Sequence, residues 1–220
     1  MKKKLLIFGN GQIAELAYFY FTKFSDLKIE AFILDNEYIK ESSFCEKPII
    51  PLEKVKEKFS TQEYSFFIAL GYQGVNEIRK KKYLEVKKHG YEFETFISPD
   101  ASILSKDIGD NCFIFENNVI QPKVKIGNNV TLWSGNHIGH HSTLDDHCFI
   151  SSHVVISGNV NIGEQTFIGI NSTIRDNINI GKKCIIGAGC KIFNHVPDFS
   201  VYREKTSTRS IITSDKLKKI

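Results

Sequence analysis

Residues 151–192 read SSHVVISGNVNIGEQTFIGINSTIRDNINIGKKCIIGAGCKI, with an aliphatic residue at every sixth position. A helix repeats every 3.6 residues and a strand every two, so neither produces this period. Counting in sixes from Ile108 to Ile192 gives fifteen positions that are all Ile or Leu, without an insertion. The position four residues after each of them is mostly small. Two inward positions in every six residues indicate a short strand followed by a tight corner.

Three such sides close a triangular coil, and stacked coils pair their backbones at about 4.8 Å, as neighbouring strands do. The fifteen sides therefore predict a parallel β-helix of five coils. Glycine follows the aliphatic residue in seven of the fifteen sides, and we expect these glycines to supply unusual φ angles at the corners. Asn118 and Asn136 occupy inward positions eighteen residues apart, which favours a ladder of side-chain amides over a contact to substrate.

The composition argues against nucleic acid and membrane partners. The 220 residues hold 29 Lys and Arg against 25 Asp and Glu. The lysine runs at 2–4, 80–82 and 218–219 are scattered, which favours a solvated surface over a nucleic-acid interface. The apolar run after Lys4 is too short for a secretory signal, and no stretch reaches the roughly 18 apolar residues of a membrane span. We expect a cytoplasmic protein with no membrane span.

The five cysteines include no CxxC pair. Cys112, Cys148 and Cys184 are 36 residues apart, and Cys190 follows one repeat later, so their spacing belongs to the period of six. This predicts small, buried, reduced thiols rather than disulfides or a zinc site.

Residues 1–96 alternate between strand and helix patterns. Strands are predicted at KLLIFG, KIEAFILD and SFFIALG, and helices at QIAELAYFYFTKF and VNEIRKKKYLEVKKHG, the last ending at Gly90. Such alternation is typical of a small Rossmann-like parallel sheet covered by helices. We therefore expect an α/β domain at 1–96, an all-β β-helix at 97–194 and a capping tail at 195–220, with a short final helix capped by Ser214 or Asp215.

The first predicted strand turns into the first helix through Gly9-Asn10-Gly11-Gln12. Glycines at such a turn let backbone N–H groups approach an anion at the helix N-terminus. Asp35 ends the second predicted strand, where its carboxylate could accept a hydrogen bond from a ribose hydroxyl or a base. Fewer than 100 residues leave room for one mononucleotide-binding half, which favours a single-base nucleotide over NAD and an NAD-linked oxidoreductase. A purely structural tight turn is the alternative.

From Lys4 to Ile192 the sequence resembles bacterial nucleotide-sugar acyltransferases of the sialic-acid O-acetyltransferase and bacillosamine N-acetyltransferase type. The segments that carry the resemblance are GNGQIAE, FILDN, IALGYQGVNEIRKK, FISPDASI and NHIGHHSTLDDHCFISSHVVISGNVNIG. The resemblance implies a left-handed β-helix that assembles as a homotrimer, with acetyl-CoA in the groove between two subunits. It also implies that the front domain binds a nucleotide-linked sugar through Gly9, Gly11, Gln12, Asp35, Asn36 and Gly71.

The resemblance places the catalytic histidine at His140 and the CoA contacts at Ile170 and Ala188. His140 lies two places after an inward Ile and should point outward, whereas a histidine buried in the coil is expected at an aliphatic or small position. Acetyl transfer to an amino sugar needs a neutral amine against the thioester carbonyl, a base, and donors for the oxyanion, without a nucleophilic cysteine. A histidine suits the role of base, because an unperturbed imidazole titrates near neutrality.

These features predict an N-acetyltransferase acting on the amine of a dTDP- or UDP-linked 4-amino-4,6-dideoxy sugar, for O-antigen or another surface glycan. A sugar O-acetyltransferase of the sialic-acid type and a non-catalytic trimeric β-helix scaffold are the alternatives. The sequence departs from the family's pattern at three positions: His141 follows His140 in place of an acidic residue, Phe149 replaces a second histidine, and Gln12 replaces a histidine of the glycine turn. His137, His147 and His153 should not converge, so no metal is expected.

Overall fold

The front part of the chain folds into a five-stranded sheet with helices on both faces. The computed structural model describes residues 4–216. The elements are β1 (Lys4–Phe8), α1 (Gln12–Phe24), β2 (Lys28–Leu34), β3 (Ser43–Phe44), β4 (Lys47–Pro51), α2 (Val55–Lys58), β5 (Tyr64–Ile68) and α3 (Glu77–Lys88), with 3₁₀ turns at Asn36–Tyr38 and Leu52–Lys54. The strand order is β3-β4-β2-β1-β5, and the pairs are parallel except β3 with β4. Helix α1 covers one face, and α2 and α3 cover the other.

The predicted strands and helices of the front part are confirmed, and Gly90 ends α3 with a φ of 88°. The predictions missed β3, β4 and α2. Pro48 and Pro51 lie in β4 and lack the N–H of an ordinary strand residue, so the sequence alone argues against a strand there. Lys2, Lys3, Lys218 and Lys219 lie outside the described residues. Of the predicted final helix, a 3₁₀ turn at Ser214–Lys216 is described, and its continuation also lies outside them.

The rest of the chain winds into a left-handed parallel β-helix of triangular cross-section. Face I consists of β6 (Phe96–Ile97), β9 (Phe113–Ile114), β12 (Thr131–Leu132), β15 (Phe149–Ile150), β18 (Phe167–Ile168), β21 (Ile185–Ile186) and β23 (Val201–Tyr202). Face II consists of β7 (Ser102–Ile103), β10 (Val119–Ile120), β13 (His137–Ile138), β16 (Val155–Ile156), β19 (Thr173–Ile174) and β22 (Lys191–Ile192). Face III consists of β8 (Asp107–Ile108), β11 (Lys125–Ile126), β14 (Thr143–Leu144), β17 (Asn161–Ile162) and β20 (Asn179–Ile180). The edges I–II, II–III and III–I are named after the faces they join.

The winding starts before Ile108 and continues after Ile192, so it exceeds the five coils expected from the sequence. At the start, β6 already pairs with β9 of the next coil. At the end, Val196 bridges to Ile180 and β23 pairs with β21. The segment expected to be only a capping tail therefore begins as part of the solenoid. The inward Ile and Leu side chains form one continuous buried core along its length.

The unusual backbone angles of the corners lie elsewhere than expected. Fourteen residues at intervals of six, from Asn111 to Gly189, have φ between 51° and 78°. The seven glycines that follow the aliphatic residues have no such φ, and the expectation for them was wrong. They are required by close packing of the coils instead: a Cβ at Gly163 would lie 2.6 Å from the backbone N of Lys182. The left-handed positions favour Asn and His, which explains the many histidines at the corners.

The inward asparagines do not form the expected ladder. Asn118 donates from Nδ2 to the carbonyl oxygens of Phe115 and Trp133, each at 2.9 Å. Asn136 donates from Nδ2 to Trp133 O and accepts at Oδ1 from Val154 N–H at 2.7 Å. Both side chains are buried and bond the backbone of their own and neighbouring coils, so a contact to substrate is excluded for them.

A polar seam along edge III–I joins the front sheet to the β-helix. Asn111 accepts at Oδ1 from Ile68 N–H at 2.7 Å and donates from Nδ2 to Asn129 Oδ1 at 2.8 Å. Asn129 Nδ2 then donates to His147 Nδ1 at 2.8 Å. The guanidinium of Arg79, on α3, enters the same seam and donates to Asn129 Oδ1 at 3.1 Å. Because the amide oxygen of Asn129 is thus fixed, its NH₂ faces His147 and requires a neutral imidazole.

His147 is therefore expected to make the protein acid-sensitive. Burial lowers its pKa from 6.5 to about 4. Between these values the unfolded chain takes up a proton that the folded chain refuses, so the stability present above pH 6.5 is lost as the pH falls toward 4. The loss is roughly 3 kcal/mol, from about 1.4 kcal/mol per pKa unit. His147→Asn keeps a residue that tolerates the left-handed backbone and does not titrate.

Urea unfolding at a series of pH values between 4 and 7 measures this effect. The free energy of unfolding of the native chain should decrease toward pH 4 more steeply than that of His147→Asn, by the amount given above. Parallel curves for the two proteins would show that His147 is not the acid-sensitive group.

Candidate active site

A cavity of about 310 Å³ opens where β1 and β2 end, and several of the predicted nucleotide-binding residues surround it. Gly9 has a φ of 125°, and a Cβ there would lie 2.8 Å from Ala69 O, so this position requires glycine. Gly11 caps α1 without a side-chain hydrogen bond, and a Cβ there would meet no protein atom within 4 Å. Because packing does not demand glycine at position 11, its bare backbone leaves the N-terminus of α1 open to an anionic ligand.

Asp35 lines the same cavity and forms an ion pair that the sequence did not reveal. Its Oδ1 lies 2.7 Å from Lys82 Nζ, and the same Nζ lies 2.9 Å from Glu85 Oε2. Partial burial lowers the pKa of Lys82, but its hydrogen bonds to Asp35 and Glu85 outweigh that effect and raise the pKa above its ordinary value. The positively charged ammonium group of Lys82 therefore lies in the cavity beside the glycine turn. Asn36, predicted as a contact, is exposed in the 3₁₀ turn and does not line the cavity.

A second, more open cleft of about 640 Å³ adjoins the first through Gln73, which lines both. The predicted residues Gln12 and Gly71 lie here, and a Cβ at Gly71 would again meet no atom within 4 Å. Its far wall is Trp133 of the β-helix, stacked on Phe115 with ring centroids 4.7 Å apart. Five of the six predicted nucleotide and sugar contacts, all except Asn36, thus line two connected clefts, the second of which reaches the β-helix.

His140 lies exposed on edge II–III, where the resemblance needs an accessible base. Its Nδ1 is 3.0 Å from Nδ1 of His141. Its backbone N–H donates to Gln121 Oε1 at 2.9 Å, and its ring lies over Gly158, where an added Cβ would be 2.6 Å from Cε1. The imidazole is therefore held on two sides while the rest of the ring faces solvent.

Ile170 and Ala188, the predicted CoA contacts, lie one above the other on edge I–II, and the side chain of Ile170 is half exposed. Trp133 lies on the same edge, two coils before Ile170. His140 lies on the next edge, across the whole width of face II. A side of six residues at about 3.3 Å per residue spans up to roughly 20 Å. Within one chain, His140 is thus separated both from the predicted CoA contacts and from the clefts.

The other histidines lie on different parts of the prism. His137 lies on face II, His147 on edge III–I and His153 on edge I–II. Among the residues described, no group of three His, Cys, Asp or Glu side chains is placed to hold a metal. His147 is buried at a corner, which corrects the expectation that buried histidines occupy only aliphatic or small positions. Phe149 is buried beneath Tyr72 with ring centroids 5.0 Å apart, so it belongs to the domain interface.

Sequence reasoning missed Lys82, Tyr72 and Trp133 as parts of the clefts. Lys82 was counted with a solvated lysine run, although it is the residue of that run which α3 turns toward Asp35. Trp133 occupies the position after an inward Leu where glycine is common, and this exception in the repeat was the available signal. Within residues 4–216, no helix has the length and apolar character needed to cross a bilayer.

Comparisons with known proteins agree with this architecture. The bacterial transferase hexapeptide family (six repeats) matches residues 107–140, 123–158 and 159–194. The acetyltransferase domain of PglB from Neisseria gonorrhoeae superposes with a TM-score of 0.79 at 22% identity, covering 91% of this chain and 96% of that one. PerB from Caulobacter crescentus, solved with CoA and GDP-perosamine, gives a TM-score of 0.78 at 21% identity, covering 90% and 92%. WeeI from Acinetobacter baumannii gives 0.78 at 19%, covering 91% and 96%.

The three solved structures match both parts of the chain and not the repeats alone, so they share its whole fold. Residues 107–194 match the bacterial transferase hexapeptide family, and the front α/β domain precedes them as the corresponding part does in these solved structures.

Proposed function

We propose that this protein is an N-acetyltransferase that moves an acetyl group from acetyl-CoA to the amine of a nucleotide-linked amino sugar. The observation that carries the proposal is the pair of connected clefts, in which an open glycine turn and the Asp35–Lys82 pair lead toward the β-helix. A nucleoside diphosphate would place its phosphates at the N-terminus of α1 and its sugar near Gly71. PerB, which shares the fold, was solved with CoA and GDP-perosamine.

The chemistry follows from direct attack of the amine on the thioester. The neutral amine of the sugar adds to the carbonyl carbon of acetyl-CoA, and Nε2 of His140 accepts the proton that the nitrogen loses. The tetrahedral intermediate collapses with loss of the CoA thiolate, which takes up a proton. Cysteine takes no part: burial raises the pKa of Cys112 and Cys148 to about 12, which leaves both thiols protonated and unreactive.

The active protein is proposed to be a homotrimer. His140 lies on edge II–III, whereas Ile170 and Ala188 lie on edge I–II, and one face of the prism separates them. A base and a thioester must be in contact for the reaction. Edge II–III of one copy against edge I–II of another brings these residues together, and it also brings the sugar cleft at Trp133 toward the partner's histidine.

The first experiment is a CoA-release assay with dTDP-, UDP- and GDP-linked 4-amino-4,6-dideoxy sugars, and with sialic acid as a hydroxyl acceptor. We expect turnover with one or more of the amino sugars, dTDP or UDP first, and the acetylated amine in the product by mass spectrometry. Turnover of sialic acid alone would assign an O-acetyltransferase. No turnover with the complete panel would favour a scaffold. A role in O-antigen or other surface-glycan synthesis follows only if an amino sugar reacts.

A further inference from the structure

The imidazoles of His140 and His141 form a hydrogen-bonded pair. Their Nδ1 atoms lie 3.0 Å apart, with the rings nearly perpendicular at 87°. His141 occupies one of the left-handed corners, with φ 61°, and its backbone N–H donates to Pro122 O at 3.3 Å. Two nitrogen atoms at this distance share one proton, so one Nδ1 is the donor and the other is the acceptor.

We propose that His141 is a positioning residue, which holds a proton on Nδ1 of His140 and so leaves Nε2 of His140 free to accept the proton of the substrate amine. The inference rests on the proposed function of His140 as base. The family that this chain resembles carries an acidic residue at position 141. In this chain a neutral imidazole stands there, and it holds the proton on Nδ1 of His140.

In the neutral pair each ring carries one proton. When the shared proton belongs to His140, its Nε2 has a free lone pair and acts as a base. Transfer of the proton from the amine then protonates that Nε2, and the shared proton can lie on either Nδ1, which spreads the positive charge over two rings. No further oxidant, reductant or ion is needed for the balance.

Acid is expected to inactivate the pair. One proton added to the neutral pair, with the bridge retained, leaves both Nε2 atoms protonated, wherever the shared proton lies. A single protonation therefore removes the base. The charged side chains that line the shallow hollow beside His141 are Lys123, Lys125 and Asp107, and Asp107 is the register partner of Lys125 on face III.

Three substitutions of His141 separate positioning from structure, because all three residues tolerate left-handed backbone. His141→Gly removes the acceptor and should lower kcat about ten- to hundredfold with KM for both substrates unchanged. His141→Asn keeps an acceptor oxygen and should keep most of kcat. His141→Asp supplies a carboxylate, which stabilises the imidazolium of His140 and should move the acid limb of the kcat profile to higher pH.

The matched control is Asn177→Gly, at the same corner position two coils further along and exposed, with φ 57°. It should leave kcat unchanged. A second measurement does not depend on turnover: the ¹⁵N shifts of the histidine side chains should show Nε2 of His140 unprotonated in the native protein and a mixture of tautomers in His141→Gly.

The outcomes are separable from those of the proposed function. If His140→Ala abolishes turnover but all three variants of His141 have native kcat and native pH profiles, the positioning role is wrong and the base assignment stands. If Gly and Asn at 141 reduce kcat equally, the acceptor is not what matters and the inference also fails. If His140→Ala itself has native turnover, the assignment of His140 as base fails. If His141→Gly does not fold, the test is whether the acid limb of the kcat profile lies at higher pH in His141→Asp than in His141→Asn; equal profiles would contradict the positioning role.

Discussion

His140→Ala is expected to lower kcat by about 10²- to 10⁴-fold, the range that general-base catalysis supplies. The thioester is reactive enough for attack by a free amine, but the amine must lose a proton as it adds. Among the residues described on edge II–III, the imidazole next to that of His140 is the one of His141. The KM for the nucleotide sugar should change little, because the clefts proposed to hold the nucleotide are lined by other residues.

Steady-state kinetics with the best acceptor of the panel measures the effect, and single-turnover rates separate chemistry from release of CoA. His195→Ala is the matched control: it also removes an exposed imidazole of the β-helix, one whose Nδ1 accepts from Asn179 N–H at 3.0 Å near the end of the solenoid. That variant should turn over normally. A kcat of His140→Ala within twofold of the native value would remove His140 from the mechanism.

The β-helix was predictable because its constraints are local and repeated. The large inward position of each of the fifteen sides is Ile or Leu, and a charged residue at one of them would have interrupted the core, so the period of six is visible directly in the sequence. The ends were not predictable in the same way. At β6 the pattern merges with the linker, and at β23 the pairing residues Val201 and Tyr202 are exposed and carry no inward Ile.

The candidate site was predictable only in part. Gly9, Gly11 and Asp35 could be located because a strand followed by a glycine turn has few geometries, and all three line one cavity. Lys82 is distant in sequence and its role depends on how α3 packs. The separation of His140 from the clefts follows from the edge of the prism on which each residue lies. Those edges are known only once the three-dimensional winding of the coils is known.

The seam on edge III–I is the clearest case of a feature that sequence reasoning could not reach. In the sequence nothing distinguishes Asn111, Asn129 and His147 from other corner residues. The same residue types occur at corners that are exposed, such as His153, Asn159 and Asn171. What distinguishes the three is that α3 and the end of β5 lie over them. The residue that makes this possible is Arg79, which the sequence presents as one more cation in a basic helix.

Arg79→Met is expected to reduce the free energy of unfolding by about 3–5 kcal/mol, because several buried carbonyl oxygens lose their donor and each unsatisfied buried acceptor costs roughly 1–3 kcal/mol. The guanidinium is fully buried, and burial lowers its pKa to about 10, so it remains charged at neutral pH. It donates to the carbonyl oxygens of His147 at 2.9 Å and Cys148 at 3.1 Å, and to Asn76 Oδ1 at 2.9 Å. Methionine fills a similar volume and leaves these buried acceptors without that donor.

Thermal and urea unfolding measure the loss, which corresponds to a melting temperature lower by roughly 10 °C for a chain of this size. Lys81→Met is the control on the same helix: Lys81 is exposed, and its substitution should change stability by less than about 0.5 kcal/mol. Arg79→Lys should also be destabilised, because an ammonium cannot reach acceptors on two coils at once. Equal stability of Arg79→Met and Lys81→Met would mean that apolar contacts alone hold the front domain on the β-helix.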